Sequence, residues 1–279
     1  MSDILSTAVS RRQTLATLGA GAAGLAIAHP AAALQAPEHS EAQKLLDSIA
    51  DNLLALSPEG ATGLGIDTGA RAAMRGKLGD RSAAGQKAIA DTLKADVARI
   101  RAFRTDGLDH ATRTSLAVVD SAYSVAIDGF AQPYGDVAVG GWRNTPYVVI
   151  QNVGAYLDVP KFLDSDHPVK NSADAEAYLS RLNAFPGALD GETDRLKAAG
   201  AQGLIAPAFL IDKAVKQMEA SLADAKAGGS MVESLVRRTR EAKIAGDWSA
   251  RSAKIVQGPV AAALERQLAE MKAQRAKAT

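Results

Sequence analysis

Beyond residue 34 apolar residues recur at steps of three and four, and strict alternation of apolar with polar residues is almost absent. That spacing puts apolar side chains on one face of a helix, so the sequence predicts an all-α, irregular multi-helix bundle. Leu45, Leu46, Ile49, Leu53 and Leu54 make one stripe. Ile89, Leu93, Val97, Ile100 and Phe103 make a second between Ser82 and Arg104, and Leu116, Val119, Tyr123, Ile127 and Phe130 a third after Asp109. The short link Thr105-Asp106-Gly107 makes the last two antiparallel neighbours. Ser40 with Gln43, and Ser230 with Glu233, read as capping boxes. The glycine-rich run 57–70 reads as a loop, and 131–145, with Pro133, Gly135, Gly140 and Gly141, as a long irregular segment of the kind that often carries function. Thr145-Pro146 then looks like a helix start launching Tyr147 to Tyr156, with a strand through Val148, Val149 and Ile150 as the alternative. Ser172 caps a further helix that Pro186-Gly187 kinks or breaks, and a last helix runs from about Asp247 to Lys277.

The N-terminus follows a different rule. Ser10-Arg11-Arg12-Gln13-Thr14-Leu15 precedes an uncharged Gly/Ala-rich stretch to Ile27 and the small residues Ala31-Ala32-Ala33. This reads as a twin-arginine export signal over 1–33, with Ala31 and Ala33 at the cleavage site, followed by one helical domain over 34–279. A short buried helix or a membrane anchor is the alternative, but the stretch is weakly hydrophobic and shorter than the roughly 20 apolar residues of a spanning helix. The expected location is periplasmic or otherwise extracytoplasmic, with no membrane attachment after cleavage.

Composition narrows the chemistry. With 32 basic and 31 acidic residues there is no cationic excess to hold a polyphosphate, and nucleic acid is not an expected partner. The absence of cysteine removes thiolate zinc, iron–sulfur and cysteine-nucleophile chemistry together. Four histidines remain, His29, His39, His110 and His167, and no two stand at i, i+4. No G-x-S-x-G elbow, Walker loop or dinucleotide fingerprint is present, so no catalytic residue, no metal ligand and no cofactor is assigned to this chain. Trp142, Arg143, Tyr147, Gln151 and Tyr156 gather aromatic and amide groups in fifteen residues of a chain with 4% aromatics, where a phenol and an amide on one helix face can bind a peptide backbone, and with His167 they are the candidate binding residues. Packing of the aromatic bodies with their polar tips at the surface is the competing reading, and for His167 a polar turn ahead of a helix.

The segments Leu64-Gly65-Ile66-Asp67-Thr68-Gly69, Leu78-Gly79-Asp80-Arg81-Ser82, Pro146 to Gln151, Gly154-Ala155-Tyr156, Pro160 to Asp164, His167-Pro168, Asp174 to Leu179 and Leu189-Asp190-Gly191-Glu192-Thr193 occur in this order. Through them the chain resembles the N-terminal half of the bacterial family called domain of unknown function 885. The resemblance implies mostly helical, exported proteins similar to zinc metallopeptidases, whose H-E-x-x-H helix lies in the C-terminal half and whose substrate cleft residues 142–156 face. Zinc is therefore expected only with that half, and no residue here matches its motif. Three functions stand open: an exported N-terminal part of a peptidase-like protein without hydrolytic activity by itself, a periplasmic helical module binding a peptide or partner, and one half of a split zinc metallopeptidase. The implied partners are a complementary C-terminal half, a second copy, or peptide. On the first reading the Ile255, Val256, Val260, Leu264 stripe is expected to be exposed where the other half packs. Replacing Arg11 and Arg12 together with Lys should hold the protein in the cytoplasm; undiminished export in cell fractionation would contradict the signal assignment.

Overall fold

The computed structural model describes residues 37–140 and 144–279. The signal residues Arg11 and Arg12, the cleavage residues Ala31 and Ala33, and the cleft candidates Trp142 and Arg143 lie outside them. Among the described residues the elements are ten α-helices and no strand: α1 Pro37–Leu56, α2 Pro58–Gly63, α3 Ala83–Ala102, α4 His110–Phe130, α5 Ala155–Ser165, α6 Ser172–Ala201, α7 Ala208–Ala227, α8 Gly229–Glu241, α9 Trp248–Ile255 and α10 Ala261–Arg275. A 3₁₀ segment, Gly69–Gly76, follows α2, and a π turn, Val256–Val260, joins α9 to α10.

Several helix starts follow the capping chemistry. Ser82 Oγ accepts the Gly85 N–H at 3.2 Å, Asp109 accepts that of Thr112 at 2.7 Å, and Asp247 accepts that of Ala250 at 3.2 Å. Elsewhere tertiary demands redraw the boundaries. Ser40 sits inside α1, and the cap of α6 is Asn171, whose side chain accepts the Asp174 N–H at 3.0 Å. Ser230 lies inside α8, where Asp224 of α7 takes its N–H and hydroxyl. The helix expected from Tyr147 begins only at Ala155. Thr145 Oγ1 turns back to the N–H of Tyr147 at 3.2 Å, Val148, Val149 and Ile150 are all buried, and Gly154 stands at φ 135°, which no helix passes through. Pro186 does not break α6, because Leu182, Phe185 and Leu189 bury fully on both sides of it and packing outweighs the local cost of proline. Pro259 is absorbed by the π turn.

Two apolar cores result. The larger gathers residues of α5 to α10 with Val148–Val153; the smaller is made by α1, α3 and α4. The expectation of an exposed C-terminal stripe is corrected here: Val256, Val260 and Leu264 lie inside the larger core and Ile255 is half-buried against it, because α10 packs on both α6 and α7.

The segments between the cores are tied by one buried cation. Arg181 of α6 is 0% exposed and donates to Lys77 O at 2.8 Å, Met74 O at 3.2 Å, Thr62 Oγ1 at 2.7 Å and His167 Nδ1 at 2.7 Å, with its guanidinium stacked 4.6 Å over Phe162. Arg181→Met should cost about 3–5 kcal/mol, since it leaves carbonyls, a hydroxyl and a ring nitrogen buried without a donor. Arg266→Met, which breaks an exposed pair with Asp190, should cost less than about 1 kcal/mol. Equal urea midpoints for the two variants would contradict this assignment.

Candidate functional site

The four described cleft candidates, Tyr147, Gln151, Tyr156 and His167, do not share one groove. His167 is 0% exposed. Because a guanidinium can only donate, Nδ1 must be the unprotonated nitrogen that accepts from Arg181, and Nε2–H donates to Asp174 O at 2.9 Å. Its ring also packs edge-on against Tyr178, with centroids 5.3 Å apart. Burial, reinforced by Arg181 and Arg238 and only partly opposed by the bond to Asp174, pushes its pKa down to about 4. This is a core histidine, correcting its placement in a cleft. Tyr156 is also buried; its hydroxyl lies 2.9 Å from Ile150 O and 3.0 Å from Gln217 Oε1, and its ring edges a small cavity of about 200 Å3 beside Phe185 and Leu264. Tyr147 is half-buried at a narrow crevice with Met271 and Gln274. Gln151 has a buried Oε1 without a partner among the described residues.

The irregular segment 131–145 does border a cleft. A cavity of about 460 Å3 opens between α1, α3, α5, α6 and residues 136–139. Leu53, Leu56, Ile89, Val159 and Phe162 give it apolar walls, and Glu59, Asp80, Arg81, Asp136, Asp158, Glu192 and Arg195 supply its charged lining. These charges are fixed by one another and by backbone. Glu192 caps α5 from the neighbouring helix, accepting the Ala155 N–H on both oxygens at 2.8 and 2.9 Å. Arg81 donates to Glu192 at 2.9 Å and to Asp158 at 3.2 Å. Burial, helped by the nearby Asp136 carboxylate, holds the Glu192 pKa above its ordinary value, with Arg81 and the Ala155 amide opposing the shift. Its hydrogen-bond partners, Arg81, the Ala155 amide and Gln267 Nε2, all donate to it. Arg195 donates to Gly135 O at 2.6 Å, Asp136 at 2.9 Å and Arg81 O at 3.2 Å. Glu59 accepts the Gly79 N–H at 3.0 Å.

A second charge cluster supports the cleft from behind. Arg75 bridges Asp67 at 2.8 Å and Asp174 at 2.6 Å, and Thr62 links Asp67 to Arg181. Burial alone would raise the Asp67 pKa, but hydrogen bonds from Arg75 and Thr62 outweigh it and hold the carboxyl below its ordinary 3.8. Arg81, Arg181, Glu192 and Arg195 were not singled out from sequence. For Arg181 and Glu192 a signal existed: they fall on the apolar stripe of Tyr178, Phe185, Leu189 and Leu196, where a charge must be paired internally.

Zinc finds no set of ligands among the described residues. His110 is exposed, both nitrogens of His167 are committed, and among the described residues no three His, Asp or Glu side chains converge on a metal position. No helix of the described residues is long and apolar enough to cross a membrane.

A family model described as bacterial protein of unknown function (DUF885) matches residues 58–279. Comparison with curated proteins finds no match. Among solved structures, the "putative lipoprotein" from Colwellia psychrerythraea superposes with a TM-score of 0.74 at 16% identity over 86% of this chain and 42% of that one. This likeness is one of fold, and the chain spans less than half the length of that protein.

The folded protein keeps His167 neutral to about pH 4, whereas the unfolded chain protonates it near 6.5. The unfolded state thus binds more protons in that window. The contribution is complete above pH 6.5 and is lost as pH falls toward 4, up to roughly 3 kcal/mol in all. Urea denaturation of the wild type should show this slope between pH 6.5 and 4.5, and His167→Gln should flatten it; identical slopes would contradict the assignment.

Proposed function

The chain belongs to the DUF885 family of bacterial proteins, and on that premise we propose that residues 37–279 hold a peptide segment in the 460 Å3 cleft, as the binding part of an exported, peptidase-like protein without hydrolytic activity of its own. The observation that carries the binding role is the construction of the cleft. Apolar walls offer area to side chains, while Arg81, Arg195, Asp136, Asp158 and Glu192 are held in ion pairs and Glu59 and Asp80 accept backbone N–H groups, so the charges shape and orient rather than react. Hydrolysis needs an activated water or nucleophile beside a base of suitable pKa. Glu192, the deepest carboxylate here, is occupied as a helix cap and as the partner of Arg81.

The peptidase-like character comes from the family resemblance, and the zinc helix is assigned to a complementary C-terminal half or a partner chain. The twin-arginine reading of residues 10–15 gives the route of export, and a lipoprotein as structural neighbour is in keeping with a place in the cell envelope.

Calorimetric titration of the protein with a random octapeptide pool should give saturable binding. Mass spectrometry of the same mixture, with and without added zinc, should find the peptides intact. Ala138→Trp, which fills the cleft from one side, should weaken binding at least about tenfold through steric exclusion. Cleavage that is lost on chelation would overturn the non-hydrolytic reading, and absence of binding would overturn the binding role.

A further inference from the structure

Residues 136–139 border the cleft as a short strap that leaves the bridge at Asp136 and turns at Val139. Asp136 and Thr145 form an antiparallel bridge, with Asp136 N donating to Thr145 O at 2.8 Å and Thr145 N donating to Asp136 O at 3.2 Å. Two residues on, the Ala138 N–H donates to Asn144 Oδ1 at 2.8 Å. Along an extended chain successive residues aim their backbone N–H and C=O at opposite edges. Asp136 and Ala138 are therefore turned toward 144–145, and Val137 is turned away. Among the described residues neither the N–H nor the C=O of Val137 enters a hydrogen bond.

This edge is held rigidly. Arg195 binds Gly135 O and Asp136 from α6, and Gly135, at φ 85°, lies so close to Thr145 that a Cβ would sit 2.6 Å from its carbonyl oxygen. The Val137 side chain packs on Gly129 of α4, so tightly that a Cβ there would lie 3.0 Å from Val137 Cγ2. The strap thus presents one donor and one acceptor, half-buried and spaced by the backbone itself, on a cavity walled by Leu53, Val159 and Phe162 beside the fixed charges of Arg81 and Glu192. Unpaired extended edges of this kind are templates for another strand.

We propose that the ligand of this cleft is an extended polypeptide that adds to the outer edge of residues 136–139 as one short strand, exchanging main-chain hydrogen bonds with Val137 and sending alternate side chains toward Phe162 and Val159. The proposal rests on the peptide-binding reading and specifies its mode. A helical ligand has no free main-chain groups to offer along its length, and a small carboxylate satisfies only the N–H. An extended main chain supplies both partners at the required spacing, whatever its side chains.

The test uses amide NMR of the protein with the random octapeptide pool and with a second pool N-methylated at every other backbone amide. The expected result is a hydrogen-bond shift of the Val137 amide, little change at Asp136 and Ala138, and about tenfold weaker binding of the N-methylated pool. Val137→Pro, which removes the N–H while leaving the Asp136 bridge, should weaken binding similarly, whereas Val137→Ala should change it less than about threefold. The methylated pool leaves the protein unaltered, so its result stands even if Val137→Pro perturbs the strap. Shifts confined to the Arg81 and Phe162 walls, or equal binding of both pools, would overturn strand addition while leaving the peptide-binding reading intact. No shift anywhere in the cleft would overturn both.

Discussion

Arg181 is a guanidinium in the interior that makes no direct ion pair among the described residues, although the Glu59 and Asp67 carboxylates act on it from farther away. Its charge is met by the carbonyls of Lys77 and Met74, the hydroxyl of Thr62, the lone pair of a neutral His167 and the face of Phe162. Burial lowers its pKa to about 10, so it remains a cation at neutral pH. The hydrogen bonds close into a ring: Arg181 to Thr62, Thr62 to Asp67, Asp67 to Arg75, Arg75 to Asp174, and the Asp174 backbone through His167 back to Arg181. A buried ring of this kind is stable only when each member is satisfied, so the loss of one donor strands several partners at once.

The cleft depends on that ring. Arg181 anchors α2 and residues 74–77 by their carbonyls, and the neighbouring residues Ser57, Glu59, Gly79 and Arg81 line the cavity. Phe162 joins the two, its ring under the Arg181 guanidinium and the residue itself part of the cleft wall. The same logic operates a second time at α5, where Glu192 fills the helix N-terminus and fixes Arg81. In both places α6 supplies the buried charge, which explains why a 30-residue helix crosses the centre of the fold with Arg181 and Glu192 on its buried side.

The class of fold and most helices were legible because burial stripes and caps are local signals: Ile89 to Phe103 and Leu116 to Phe130 needed nothing beyond their own spacing. The start of α5 was not, since Gly154 and the burial of Val148–Ile150 against distant helices override the Thr145-Pro146 signal. The cleft itself was half legible. The break at 131–145 marked one of its borders and supplies Asp136, but its other charges come from α2, the residues just before α3, α5 and α6, which sequence distance conceals. His167 was drawn toward function by its polar neighbours Asp164 and Asp166, yet its partners Arg181 and Asp174 lie on the next helix and make it structural.

The central claim is that a neutral His167, protonated on Nε2, completes the Arg181 ring. Nitrogen-15 NMR of the imidazole reads this directly in the intact protein. The account predicts a protonated Nε2, a bare Nδ1 and no titration between pH 8 and 5, with a midpoint near 4. A proton on Nδ1, or a midpoint near the ordinary 6.5, would contradict it.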